Sequence, residues 1–230
     1  MKKPLLIIFL VLLLDQTVKI YVKTHFYMGE PFSVFGNWFV LRFTENNGMA
    51  YGMEFGGQYG KLFLSIFRIV AVSGIGYYLF RLIKKKEDKL YIICISLIFA
   101  GALGNIIDSA FYGLLFSDSM YGVAKFMPTE GGYASFLQGK VVDMLNFHIS
   151  AFDGHYPQWF PYWGGETFEF FRPIFNCADA SISVGVAMII LYQKRFFKKE
   201  TKTVTEPQSA VTTEQPAEPT VQETQTPAGN

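Results

Sequence analysis

The chain has 230 residues, of which 50% are hydrophobic, 17% aromatic and only 17% charged. A soluble domain carries about a quarter charged residues, so this balance argues against an ordinary soluble enzyme and for a membrane protein with one folded domain. The net charge of +1 is unevenly spread, because residues from Glu200 onward contain five Glu against a single Lys.

Four apolar segments reach the roughly 20 residues that a helix needs to cross a bilayer. They cover residues 4–22, 62–83, 90–112 and 173–192. The first follows Lys2 and Lys3 as a signal peptide would, but no small-x-small cleavage site follows it; Asp15, Gln16 and Lys19 follow instead, so a retained helix is expected. Three basic clusters then fall on one side: Lys2 and Lys3, the loop from Arg81 to Lys89, and Lys194 to Lys199. By the positive-inside rule both termini and the loop between spans two and three are cytoplasmic. Two long outer segments remain. In the first, the run Trp38 to Phe43 between turn residues predicts a small sheet at the membrane surface. The second carries Trp159, Phe160, Tyr162, Trp163, Phe168, Phe170 and Phe171, rings suited to the headgroup layer. The expected fold is therefore a mainly α membrane protein, with four transmembrane helices, a small extramembrane sheet and an aromatic-rich outer segment. Residues 1–199 form this domain. Residues 200–230, rich in Thr, Pro, Gln and Glu, are expected to be a disordered tail. Cys94 and Cys177 make neither a disulfide framework nor a zinc pattern and are read as free thiols.

Ionisable groups inside a span are costly and mark function. Asp15 and Lys19 lie four apart on span one, Asn105 and Asp108 three apart on span three, and Asn176 and Asp179 three apart on span four, so each pair shares a helix face. At ~1.5 Å per residue, Lys19, Asn105 and Asp179 each sit roughly 22 Å from the cytoplasmic end of their helix. Three helices thus bring polar groups to one level in the outer part of the bilayer. A fourth carboxylate, Asp143, sits in the outer segment between Val141-Val142 and Met144-Leu145, a setting that reads either as a carboxyl pressed against the membrane or the bundle or as an exposed loop aspartate, and spacing alone does not fix which.

Here the residues resemble a known family. Gly104-Asn105-Ile106-Ile107-Asp108, Val141-Val142-Asp143 and Phe175-Asn176-Cys177-Ala178-Asp179 are similar to three signature segments of lipoprotein signal peptidase, also called signal peptidase II. Asp15 to Lys19 resembles its Asp-x-x-x-Lys on the first helix, and Asn46 to Tyr51 its Asn-x-Gly-x-Ala-aromatic loop. The motifs keep the family's order over most of residues 1–195. The resemblance implies an inner-membrane aspartic endopeptidase that removes the signal peptide from prolipoproteins, cutting just before a diacylglyceryl-modified cysteine. It maps the catalytic pair to Asp143 and Asp179, and supporting residues to Asp15, Lys19, Asn46, Gly48, Asn105, Asp108 and Asn176. It also implies a sheet that cradles substrate, contact with membrane lipids, and sensitivity to globomycin. Neither a cofactor nor a nucleic-acid partner is expected, and the chain is expected to act as a monomer. Two features depart from the family. Many members have Arg directly after the helix-three aspartate, where this chain has Ser109, and residues 114–138 and 150–172 are longer than usual. A hydroxyl cannot replace a guanidinium, so any role of that arginine is vacant or met elsewhere.

The chemistry agrees with the resemblance. Hydrolysis without a metal or covalent nucleophile needs a base for water and an acid for the leaving amine, and two neighbouring carboxyls sharing one proton supply both. Three other readings compete. A serine–lysine peptidase would use Lys19 with Ser109 or Ser181. A zinc hydrolase would draw on His25, His148 and His155, which lack metal-ligand helix spacing. A proton-coupled transporter also uses intramembrane carboxylates, but no inverted repeat is evident.

Overall fold

Helix α1 (Lys2–His25) carries its apolar side chains outward. Leu6, Phe9 and Leu13 are 56%, 59% and 52% exposed, whereas Asp15, Lys19 and Lys23 are fully buried. A hydrocarbon solvent selects this inversion of a soluble helix: apolar groups face lipid and ionisable ones turn into the protein. The computed structural model describes residues 2–36, 38–48, 57–147, 158–159, 161, 164–165 and 173–197. The expected disordered tail, residues 49–51 of the loop motif, and most of the outer aromatic segment lie outside them. Of that segment's rings, Trp159 is described, in an exposed turn.

Helix α2 (Gly57–Lys85) starts five residues before the expected Leu62. Helix α3 (Lys89–Ile107) is capped by Asp88, whose Oδ1 accepts from the backbone N–H groups of Leu90 and Tyr91. It runs on through a π-helical turn (Asp108–Tyr112) and a last helical turn (Gly113–Leu115). Among the described residues, Lys2–His25, Tyr59–Lys85 and Lys89–Leu115 are long and apolar enough to cross a membrane. The fourth apolar helix, α4 (Cys177–Leu191), has 15 residues and is shorter than the 173–192 expected. It starts late because Asn176 is extended (φ −123°, ψ 178°) and forms a reciprocal cap with Asp179. The pair Asn176 and Asp179 is thus a helix cap rather than two positions on one face.

Helices α3 and α4 touch through glycine. A Cβ at Gly101 would lie 2.2 Å from the Ala178 carbonyl oxygen, and one at Gly185 would lie 2.8 Å from that of Cys94. In lipid, where no hydrophobic force drives helices together, such close backbone approach is what packs them. Both cysteines are free thiols, Cys94 buried and Cys177 half-buried.

The sheet has three antiparallel strands in the order β1 (Pro31–Phe35), β2 (Phe39–Asn46), β3 (Val141–Phe147). The run from Trp38 to Phe43 is indeed strand from Phe39 onward, and β2 continues to Asn46. β3 was not foreseen, since Val-Val-Asp-Met-Leu-Asn-Phe does not alternate apolar with polar. Its first four residues are all buried: Val142 and Met144 pack with Val22, Tyr112 and Phe116, while Asp143 between them is met by Asn176. Thr44 pairs with Asp143 and Asn46 with Val141, past an irregularity between Leu41 and Thr44. Phe39, Phe147 and Phe175 stack at one end of the sheet, with Phe39 and Phe147 ring centroids 4.7 Å apart. The helix ends and the sheet share one core, formed by Val22, Phe43, Tyr112, Phe116, Val142 and Met144.

The close approach of α3 to α4 can be tested directly. Gly101→Ala should lower the thermal unfolding midpoint in detergent, by a destabilisation of about 1–3 kcal/mol for overpacking. Gly74→Ala, where a Cβ meets nothing within 4 Å, should leave it unchanged.

Candidate active site

Two backbone hydrogen bonds bring distant segments together. Leu145 N–H donates to the Phe175 carbonyl at 2.8 Å, and Phe175 N–H donates to the Leu145 carbonyl at 3.0 Å. This clamp lays the segment before α4 along β3, so Asn176 arrives beside Asp143. Asn176 Nδ2 donates to Asp143 Oδ1 at 2.7 Å, while its Oδ1 accepts from the Asp179 backbone N–H at 2.9 Å. Asn105, from α3, donates through Nδ2 to Asp179 Oδ1 at 2.8 Å and accepts from Asn176 Nδ2 at 3.2 Å. Asn46, at the end of β2, also hydrogen-bonds the Asp143 carboxyl. Its Oδ1 accepts from the Gly48 N–H at 2.8 Å, in a turn that Gly48 completes at φ +87°. Asp143 and Asp179 therefore share one asparagine network. Burial, and then the charge of Asp179, push the Asp143 carboxyl up to about 7, against the opposing pull of Asn176, Lys19 and Asn46.

Beneath this layer lies a charged one. Lys19 Nζ sits 2.9 Å from Asp15, 2.8 Å from Asp108 and 2.9 Å from Asn105 Oδ1, so its three N–H donors meet three acceptors. All three charged side chains are fully buried. Asp15 also accepts the Ala178 N–H at 2.8 Å, which ties α1 to the first turn of α4. Asp108 accepts the Val142 N–H at 3.3 Å, which ties the π-helical turn to β3. All nine residues expected at the site thus lie in one connected region: Asp15, Lys19, Asn105, Asp108, Asn176 and Asp179 among the helix ends, and Asn46, Gly48 and Asp143 at the sheet.

Three features escaped the sequence reading. Gln16 Nε2 donates to Asp108 at 2.9 Å and to Asp15 at 3.1 Å, and its Oε1 accepts from Tyr112 Oη at 3.2 Å. A polar residue within an apolar run was the available signal. Lys23 reaches Glu45, which also pairs with Lys140 at 3.1 Å and accepts from Ser119 at 2.9 Å, locking the end of α1 to β2. Burial raises the Glu45 carboxyl, but Lys23 and Lys140 outweigh it and hold the group below its ordinary range. Arg68, half-buried on α2, donates through Nη2 to the Gly48 carbonyl at 2.6 Å, and its charge acts on both Asp179 and Asp143. As an ionisable residue inside a span it was legible by the rule applied to the other three helices. Ser109 is buried and donates to the Asn105 carbonyl at 3.0 Å, so the guanidinium near the carboxylates comes from α2. His25 is exposed and stacked on Tyr21, while His148 and His155 lie outside the described residues.

The family model described as Signal peptidase (SPase) II matches residues 7–195. A lipoprotein signal peptidase of Porphyromonas gingivalis is 46% identical over 190 residues, covering 82% of this chain and 81% of the relative. One of Amoebophilus asiaticus is 38% identical over 185 residues, covering 79% and 73%. A bacterial membrane enzyme solved by the in meso method at 2.3 Å superposes with a TM-score of 0.57 at 26% identity, covering 88% of this chain and 94% of that one. A second, at 1.9 Å, gives 0.54 at 28% identity over 84% and 93%. With the family model spanning nearly all of the described fold and relatives this similar over four fifths of the chain, the protein belongs to the signal peptidase II family and is a multi-pass membrane peptidase.

Proposed function

We propose that this chain cleaves the signal peptide from diacylglyceryl-modified prolipoproteins, on the N-terminal side of the lipidated cysteine, with water activated between Asp143 and Asp179. The observation that carries the mechanism is the single asparagine, Asn176, bonded to both acidic residues, with Asn105 closing the network on the Asp179 side. In the reaction the ionised carboxylate takes a proton from water as its oxygen attacks the carbonyl carbon. The protonated partner gives its proton to the leaving amine as the C–N bond breaks. The raised Asp143 carboxyl supports a proton held within the pair near neutrality. Four spans are part of the proposal. α4 is roughly 22 Å long, and the short helix Gln193–Phe196 and its basic residues follow it. With the basic clusters cytoplasmic in the inner membrane, the site lies at the periplasmic side, where a lipidated cysteine presents its peptide bond. The family's inhibitor globomycin is expected to compete there.

The serine–lysine alternative finds no support in the bonding. Lys19 is committed to two carboxylates and Asn105, Ser109 Oγ donates to the Asn105 carbonyl, and Ser181 Oγ donates to the Leu97 carbonyl.

Three measurements test the proposal. Asp143→Asn and Asp179→Asn should each reduce turnover of a lipid-modified precursor by at least about a thousandfold, the order expected when an acid–base group is lost; near-normal turnover by either removes that residue from the pair. Because burial keeps a proton on Asp143 that the unfolded chain would release above its ordinary value near 4, ionising it costs stability as pH rises towards about 7. Asp143→Asn should therefore unfold no more easily than wild type at pH 8, and kcat/KM of wild type should decline on the alkaline side of about 7. A rate still climbing at pH 9 would contradict the shared proton. Lys19→Met strands two buried carboxylates, so it should destabilise the fold by about 3–5 kcal/mol, read as a lowered unfolding midpoint. A fully stable but inactive Lys19→Met protein would instead favour lysine as a base.

A further inference from the structure

We propose that Arg68 is a substrate-binding residue of this site, its guanidinium donating hydrogen bonds to the carbonyl oxygen of the scissile peptide as that oxygen gains negative charge. This rests on the reading of Asp143 and Asp179 as the catalytic pair and adds a role that neither acid fills. One carboxyl takes the proton from water and the other protonates the amine. The carbonyl oxygen still needs a donor, and in a site of low polarity that need is large.

Among the described residues, Arg68 is a side chain beside the pair that keeps several donors unused. Lys19 uses all three N–H groups on Asp15, Asp108 and Asn105. The Asn105 amide donates to Asp179, and the Asn176 amide donates to Asp143, Asn105 and the Val142 carbonyl. The guanidinium of Arg68 has five donors, and among the described residues only the Gly48 carbonyl takes one. No described carboxylate lies within ion-pair distance of it, yet its charge acts on Asp179 and Asp143 together. Among the described residues it is therefore a cation near the pair with no carboxylate in direct contact.

Its placement is built. Ser65 and Val72 are buried on the same inward face of α2, while Phe63, Phe67 and Val70 are 72%, 61% and 65% exposed to the lipid side. Counted from Lys85, Arg68 is about 25 Å along the helix, the level of the other polar groups. Gly48 makes room for it: a Cβ there would lie 2.6 Å from Nη1 and 3.2 Å from the guanidinium carbon. The bond to the Gly48 carbonyl fixes the fork against the turn whose first residue, Asn46, holds Asp143. A planar fork held at one corner keeps its other N–H groups for a ligand.

The test uses the full chain purified in detergent and a diacylglyceryl-modified precursor peptide, with Asp143→Asn as the control for the underlying reading. Arg68→Gln keeps an N–H for the Gly48 carbonyl but removes the charge. It should lower kcat/KM about a hundredfold, mainly through kcat. The alkaline limb of its pH profile should move to higher pH, because a cation that favoured the ionised pair is gone while Asp179 and Lys19 still face Asp143. Arg68→Lys should recover part of the rate, and added methylguanidinium should stimulate Arg68→Ala but not wild type. Arg68→Gln within about twofold of wild type, or a lowered rate with an unmoved pH limb and no rescue by lysine or methylguanidinium, overturns the assignment. If wild type cleaves nothing, or Asp143→Asn retains its rate, the catalytic pair itself falls and this role falls with it.

Discussion

An ammonium group with no access to water holds this fold in register. Lys19 from α1 sits between Asp15 of its own helix and Asp108 at the π-helical turn, and it also binds Asn105. Each of these groups would be severely penalised alone in a bilayer. Together they neutralise much of their charge, and their remaining hydrogen-bonding capacity reaches outward: Asp15 to the first turn of α4, Asp108 to the backbone of β3. Helices that could otherwise slide past one another in lipid are fixed to within a hydrogen bond. The glycines of α3 and α4 then allow the backbones to close to that distance.

On this rigid layer the carboxylates proposed for catalysis are held by neutral groups. Among the described residues, asparagines and not cations touch Asp143 and Asp179. A contacting lysine would pull the Asp143 carboxyl down strongly, whereas its amide partners lower it by less than burial and the charge of Asp179 raise it. The lysine is kept one layer away, where its charge is spent on Asp15 and Asp108. The sheet contributes the other half of the geometry. Asp143 is carried on a strand clamped by paired backbone bonds to the residue before the Asn176 cap, so the two acids are fixed to each other through main chain as well as side chain.

Aromatic rings gather at one end of the sheet. Phe39, Phe147 and Phe175 stack where the sheet ends, and Trp38 beside them is 54% exposed. Rings of this kind favour the headgroup region. On the proposed function, a sheet resting there keeps Asp143 at a depth that a lipid-anchored cysteine can reach.

The amino-acid sequence by itself determined the solvent and the chemical inventory. Long apolar runs with few charges have one stable environment, and Asp15, Lys19, Asn105, Asp108 and Asp179 inside them stood out because each is so costly there. The spacing within a helix is local, so the pairing of Asp15 with Lys19 was legible before any fold. Strand β3 was not, since its buried faces erase the alternation that announces a strand. Nor was the true role of Asn176, whose cap depends on a helix starting at Cys177 and not at Pro173. The position of Asp143, the use of Gln16, the Lys23–Glu45 lock and the approach of Arg68 to Gly48 all join residues far apart in the chain. Only tertiary structure decides such contacts, because a polar group in a membrane takes whichever distant partner the packing delivers.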